Sequence, residues 1–364
     1  MNPLETLIRE RITAGGPMPV SEFMALALGH PKYGYYNKGD PFGVDGDFTT
    51  SPEISQVFGE LIGLWAAVTW QQMGSPEKTI LIECGPGRGT LMKDALRAAA
   101  NVPIFAETID IHLVETSETL RACQANTLSA HRATWHNTIE TIPEGPSIFI
   151  ANEFFDALPI RQFQKELGGW SERCIVLFDG ALSFESHLLT EEPFGLPRYT
   201  NVGDVYEICP MALTFVDQIA ARLLQQPGAA LIIDYGYERA MPGDSLQAVR
   251  HHAFTDPLTD PGNADLTAHV NFGALAGIAT HSGCTVFGPV RQATFLRALG
   301  ILERTQTLLG NALPNQAGHI HAATQRLIDP LGMGSLFKVM TISHPGAASP
   351  AGFEKHPEKK DSQE

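Results

Sequence analysis

The stretch Leu81–Leu96, "LIECGPGRGTLMKDAL", decides the fold. With the two residues before it, "TILIEC" is a short apolar run that ends at glycine. A run of this length bounded by turn residues reads as a strand buried on both faces. Gly85, Gly87 and Gly89 follow at once, and a helix is expected from about Thr90 to Ala100. Glycines let the backbone turn tightly and approach a ligand closely, and the helix start then offers unpaired N–H groups. The plain alternative is a tight strand-to-helix turn with no ligand.

The spacing is G-x-G-x-G. The dinucleotide pattern G-x-G-x-x-G requires glycine where Thr90 stands, which disfavours a nicotinamide cofactor. Glu83, just before the loop, would repel a pyrophosphate but suits the ammonium of S-adenosylmethionine. Downstream, "IDIHLVE" (109–115) and "SIFIANE" (147–153) read as further buried strands, with "ATWHN" (133–137) between them and a helix "SETLRACQANTLS" (117–129). "GAALIIDYGY" (228–237), "CTVFGPV" (284–290) and "SLFKVMTIS" (335–343) complete the series. Strands alternating with helices imply a parallel α/β sheet covered on both faces.

Outside this core the rhythm differs. Residues 3–30 read as two helices, the second capped by Ser21. "GDFTTSPEISQVFGELIGLW" (46–65) opens a longer helix with a stripe at Ile54, Val57, Phe58, Leu61, Leu64, Trp65 and Val68. Its start allows Ser51 as N-cap with Pro52 behind it, or a Thr50–Glu53 capping box. Residues 161–207 break into strand pieces and read as a β-rich insertion. The expected division is 1–75 (helical segment and cofactor lid), 76–160 (first part of the core), 161–207 (insertion), 208–343 (second part, with a loop-rich acceptor-side insertion at 236–270) and 344–364 (a disordered tail).

The chain has 364 residues and a formal net charge of −15, from 25 basic and 40 acidic residues. That balance argues against a nucleic-acid footprint and suits a cationic partner. The five cysteines form no CxxC pair, which fits a reducing compartment and no zinc site. No apolar run reaches the roughly 20 residues of a membrane span, and the N-terminus has no secretory apolar core.

Candidate site residues follow from strand ends, where open α/β sheets bind ligands. Glu115 ends the second strand, placed to accept from two ribose hydroxyls, or to serve as a helix cap. Trp135, His136 and Asn137 follow the third strand, as an adenine wall or as packing. Asn152, Glu153 and Asp156 leave the fourth strand, and Asp234 ends the fifth. Arg291, Gln292 and Phe295 are expected to face an acceptor cleft. Cys209 reads as a core thiol, and His251, His252, His319 and His321 as surface or loop residues; no metal site is expected.

"GYY" (34–36), "GDFTTSPEISQVFGE", "ECGPGRGTLMKD", "ANEFFDALPIRQF", "LIIDYGY" and "DLTAHVNF" occur in an order that resembles the MidA-like methyltransferases, from about residue 20 to 340. The resemblance implies a doubly wound, seven-stranded, Rossmann-like class I core with its last strand antiparallel. It implies S-adenosylmethionine as cofactor; the residues placed by their chemistry and position to hold it are Thr49, Thr50, Ser51, Glu83, Gly85, Gly87, Gly89, Glu115 and Asn152. Glu153, Asp156 and Asp234, with Asp265 behind them, are the candidates to orient an acceptor. For that family the acceptor is a protein arginine, symmetrically dimethylated on a respiratory complex I subunit, in a bacterial cytoplasm or a mitochondrial matrix. The alternatives are a cofactor-binding assembly factor with little turnover, or a methyltransferase with a small-molecule acceptor. Two positions depart from the family pattern: Ser245 stands where glycine is expected and Asn271 where aspartate is.

Overall fold

The central sheet is built from seven strands: β1 (Thr79–Cys84), β2 (Ile109–Val114), β3 (Ala133–His136), β4 (Ser147–Asn152), β5 (Gly228–Tyr237), β6 (Thr285–Arg291) and β7 (Phe337–Ser343). Their spatial order is 3-2-1-4-5-7-6. All pairs are parallel except those of β7, which runs antiparallel to both β5 and β6. A two-residue strand, Val270–Asn271, adds to the end of β5. The order reverses between β1 and β4, so their carboxyl ends splay into a ligand crevice. The computed structural model describes residues 2–38, 50–193, 195–197 and 199–353.

Both faces of the sheet are covered, which is why β1, β4 and β5 read as continuous apolar runs. Leu81, Leu113, Ile150 and Leu231 point to one core, while Ile82, Phe149, Ile232 and Met340 point to the other. Helices α1 (Pro3–Gly15) and α2 (Val20–Gly29) lie apart from this sheet and share a third core with Ile175, Ala248 and Leu266. Helices α3 (Gln56–Gln72) and α4 (Thr90–Ala99) cover the first face. The second face is covered by α5 (Pro210–Gln225) and α6 (Phe272–His281).

Several local expectations need correcting. The expected helix from Ser51 is two pieces. Ser51–Ile54 forms one turn, Ser55 takes an extended conformation (φ −154°, ψ 127°), and the Ser55 side chain then caps α3 by accepting from Val57 N–H at 3.3 Å. Neither Thr50 nor a capping box closes the first turn through a side chain. The buried face of α3 is also wider than the stripe: residues 57–63 are all buried, whereas Leu64 and Val68 are each 38% exposed. Close approach of α4 causes this. A Cβ at Gly63 would sit 2.3 Å from the Ala95 carbonyl oxygen. Glu60 is buried on this helix because Arg97 and Arg304 reach it at 2.9 and 2.7 Å. Ser21 does not cap α2; Pro19 is its N-cap residue and makes no side-chain cap bond.

Residues 161–208 form antiparallel strands Arg161–Glu166, Gly169–Phe178, Ala181–Leu188 and Val205–Ile208, and Met18–Pro19 joins the same sheet. A smaller sheet of Gln247–Arg250, Ala253–Thr255 and Asp265–Thr267 lies in the acceptor-side insertion. The segment 344–353, expected to be disordered, packs on the core: Phe353 lies 5.5 Å from Phe295, and Gln72 donates to the Ser349 carbonyl. Ala351 and Phe353, packed against the first core, hold it there. Residues 354–364 lie outside the described part of the chain.

Candidate active site

The glycine loop positions the first half of the site. Gly85, Gly87 and Gly89 all have positive φ (+65°, +52° and +81°). At Gly85 a Cβ would meet Phe154 at 2.7 Å, so the loop needs glycine there both for its dihedral and for its contact with the β4 loop. Gly89 is the N-cap residue of α4.

A cavity of about 1070 Å³ opens over the carboxyl ends of the strands. Gly85, Gly87 and Glu115 line one end of it, with Asn137 and Phe154 nearby. Glu115 is held by a local network. Its Oε1 accepts from Thr116 and Ser117 N–H, each at 2.8 Å, and its Oε2 accepts from Gln124 Nε2 at 3.1 Å. Gln124 also donates to the Gly87 carbonyl and accepts from Trp135 Nε1, both at 2.8 Å. The glycine loop, Glu115 and β3 are therefore one hydrogen-bonded unit. Burial pushes the Glu115 carboxyl up, against those donors. Trp135 supports this unit without lining the cavity, and His136 is buried against His112; of the expected adenine wall only Asn137 reaches the cavity.

A narrower cleft shares Thr50, Gly85, Gly87 and Glu153 with the cavity and adds Glu83 and Asn152. Glu83 Oε2 and Asn152 Oδ1 are buried acceptors without a hydrogen-bond partner. Burial raises the Glu83 carboxyl to about 8. Unpartnered buried acceptors are costly, and two of them beside a glycine loop fit a ligand that brings N–H donors and positive charge. S-adenosylmethionine, with an ammonium and a sulfonium, is such a ligand. Glu53 closes the cleft, accepting from Thr90 Oγ1 and lying 3.8 Å from Arg88.

The other end of the cavity is acidic. Glu153, Asp156 and Asp265 line it with Tyr36, Tyr235 and Thr267. Glu153 has φ +51°, unusual for a side-chain-bearing residue, and such strain persists only where neighbours enforce it. Its N–H donates to the Ile233 carbonyl at 2.9 Å; its Oε1 accepts from Ser51 N–H at 2.8 Å and Asn152 Nδ2 at 3.1 Å. Burial, opposed by the Ser51 N–H, puts its carboxyl at about 7. Asp156 is buried, accepts from the Tyr235 phenol, and is raised to about 6 by desolvation. Tyr36 donates to Asp265 at 2.9 Å, while its carbonyl accepts from Ser117 Oγ at 2.8 Å, next to Glu115. Tyr36 thus ties the two ends together.

Not every expected residue arrives. Asp234 is fully buried and lines neither space. Its Oδ2 accepts from the N–H groups of Phe154, Phe155 and Asp156 at 3.2, 3.0 and 3.2 Å, and its Oδ1 from Tyr235 at 2.9 Å. It shapes the loop that carries Asp156. Burial and the nearby Asp156 and Glu153 charges push its own carboxyl well up. Ser51 is buried and contributes its N–H to Glu153; Thr49 lies outside the described residues. Arg291, Gln292 and Phe295 do not line the cavity: Gln292 and Phe295 are fully buried, and Gln292 donates to the Leu327 carbonyl at 2.9 Å. Asn271 caps α6 by accepting from Ala274 N–H at 3.0 Å, a task aspartate performs equally, and it does not reach the cavity. Ser245 binds Glu207 and accepts from His269 N–H at 2.8 Å. The Cys209 thiol, raised to about 11, donates to the Pro159 carbonyl.

Sequence reasoning gave Tyr36, Tyr235, Thr267 and Gln124 no role. Tyr36 and Tyr235 stood within "GYY" and "IIDYGY", but nothing in those strings pairs them with Asp265 and Asp156.

The family model for S-adenosyl-L-methionine-dependent methyltransferases matches residues 61–290. The chain belongs to that family. It is 38% identical to the protein arginine methyltransferase NDUFAF7 of Danio rerio, over 92% of this chain and 85% of that protein. The human protein of the same name is 33% identical, over 94% of this chain and 84% of its own length. A protein from Burkholderia thailandensis, crystallised with S-adenosyl-homocysteine, superposes with a TM-score of 0.80 at 29% identity, over 96% of this chain and 93% of that one. The seven-stranded order 3-2-1-4-5-7-6 is therefore a methyltransferase sheet, and its cofactor is S-adenosylmethionine. No helix among the described residues is long and apolar enough to cross a membrane.

Proposed function

We propose that this methyltransferase transfers a methyl group to an ω-nitrogen of arginine in a protein acceptor. One observation carries the reading. Glu153 and Asp156 line the same cavity as Gly85 and Gly87, and neither has a Lys or Arg partner among the described residues. A guanidinium would supply the missing counter-charge. Its planar fork of N–H donors matches carboxylates that face one cavity. The names of the relatives, protein arginine methyltransferases, point the same way.

Thr50, Glu83, Gly85, Gly87, Glu115 and Asn152 would hold the cofactor, with Gly89 and Ser51 shaping the backbone around it. Bound there, S-adenosylmethionine supplies an electrophilic methyl group on sulfur. The chain's own residues do the rest. Asp156 and Asp265, each fixed by a phenol, hold the guanidinium in place, and proximity of this kind is a large part of such a rate enhancement. Glu153 Oε1 is occupied by Ser51 and Asn152, so Oε2 accepts the acceptor's N–H and then its proton. Asp234 positions the loop. The finer reading, symmetric dimethylation of a respiratory complex I subunit in a bacterial cytoplasm or a mitochondrial matrix, rests on the family resemblance.

Mass spectrometry of complex I subunits, from cells with and without the gene, tests both levels. A dimethylarginine present only with the gene is expected. Purified protein that binds the cofactor yet labels a small metabolite and no arginine would sink the reading.

A further inference from the structure

The geometry points to the rim of the cavity as a docking surface for a protein segment whose target arginine is flanked by apolar or aromatic side chains. This rests on the arginine reading above and extends it to the residues beside the target.

Three large apolar side chains line the cavity and remain exposed to solvent: Met211 at 51%, Phe254 at 78% and Leu336 at 45%. They come from separate segments, namely the start of α5, the strand Ala253–Thr255 and the short helix Met333–Leu336. Exposed apolar residues scattered singly need no explanation; several around one opening mark a binding surface. Leu167 and Tyr199 are even more exposed, at 96% and 95%, but line no cavity.

Charge and volume select the occupant. Glu153, Asp156 and Asp265 line the same cavity as these apolar residues, so an occupant that carries a cation is complementary to it. The cavity, at about 1070 Å³, lies at or just above the roughly 300–1,000 Å³ typical of clefts that hold one small molecule. It has room for a cofactor and an arginine side chain with its neighbours. Apolar groups beside that arginine would cover Phe254, Met211 and Leu336, while the floor reads the guanidinium.

The test uses the full chain with S-adenosylmethionine and two peptides of equal length and charge. Each has one arginine, flanked either by Leu and Phe or by Ser. The apolar peptide is expected to show a KM lower by about tenfold or more, as burial of one or two such side chains implies, with a similar kcat. Phe254→Ser and Met211→Ser are expected to raise the KM of the apolar peptide toward that of the Ser peptide. They should leave the Ser peptide and cofactor affinity unchanged. Equal KM values for the two peptides overturn the docking proposal alone, because arginine is still methylated. Variants that raise both KM values equally overturn it too. Methylation of a small guanidino compound as efficient as that of the apolar peptide also counts against a protein-docking rim. If neither peptide is methylated while calorimetry shows the cofactor bound, the arginine reading falls and the proposal with it.

Discussion

The two ends of the cavity are made differently. The end proposed to hold the cofactor centres on elements close in the chain: the Gly85–Gly89 loop after β1, and Glu115 after β2 with Gln124 nine residues on. The end proposed to hold the acceptor is built from side chains drawn together across long separations. Tyr36 meets Asp265 across 229 positions, and Ser51 meets Glu153 across 102. A backbone cradle is rigid and generic, because every residue offers the same N–H. A side-chain cluster is specific and fragile, because each carboxyl is buried at a cost that its neighbours must offset.

If that contrast is right, the ends should fail differently. The largest effect is expected at the acceptor end. Glu153→Gln should lower methyl transfer by about 10²- to 10⁴-fold, as expected for loss of a general base, while calorimetry shows cofactor affinity within a few-fold. Asp156→Asn should act in the same direction. Wild-type-like transfer by both variants would remove the assignment.

At the cofactor end, Gly85→Ala must place a Cβ against Phe154 at φ +65°. Strain of this kind costs on the order of 1–3 kcal/mol. A loss of cofactor affinity of about 10- to 100-fold follows, read by calorimetric titration. Unchanged affinity would mean that the loop is not the cradle.

The third difference is in pH dependence. Glu83, Glu153 and Asp156 are held at about 8, 7 and 6, above their ordinary values of 4.5, 4.5 and 3.8. An acid that binds its proton more tightly when folded stabilises the fold at low pH, and that contribution is lost as pH rises through the folded value. The free protein should therefore lose stability between about pH 4 and pH 8, by an amount on the order of a few kcal/mol. Urea titrations across this range should show it, and Glu153→Gln should flatten the profile between about pH 4.5 and pH 7, leaving the Glu83 part above it. A flat profile in the wild type would show that the carboxyls are already compensated.

The smallest effect sharpens the boundary between the ends. Thr50 lines both the cavity and the cleft, whereas Ser51 lines neither. Thr50→Ala should weaken cofactor binding only a few-fold, and Ser51→Ala should change little, because its N–H remains for Glu153. A large loss from Ser51→Ala, or a loss of stability with intact affinity from the double variant, would contradict this division.

The sequence by itself determined the sheet and the glycine loop. Strand, glycine loop and helix are local patterns, and Glu83, Gly85, Gly87 and Glu115 follow from their place at strand ends. It also carried the acids Glu153 and Asp156, because they leave an apolar strand at the edge where ligands bind. Only the tertiary structure decided what each acid touches. Asp234 looks like Asp156 in sequence, yet four backbone N–H groups claim it. Asp265 gains Tyr36, and Glu153 gains Ser51, through contacts that no local spacing encodes. Backbone geometry is written in neighbouring residues; the partners of a buried carboxyl are written in the packing of distant ones.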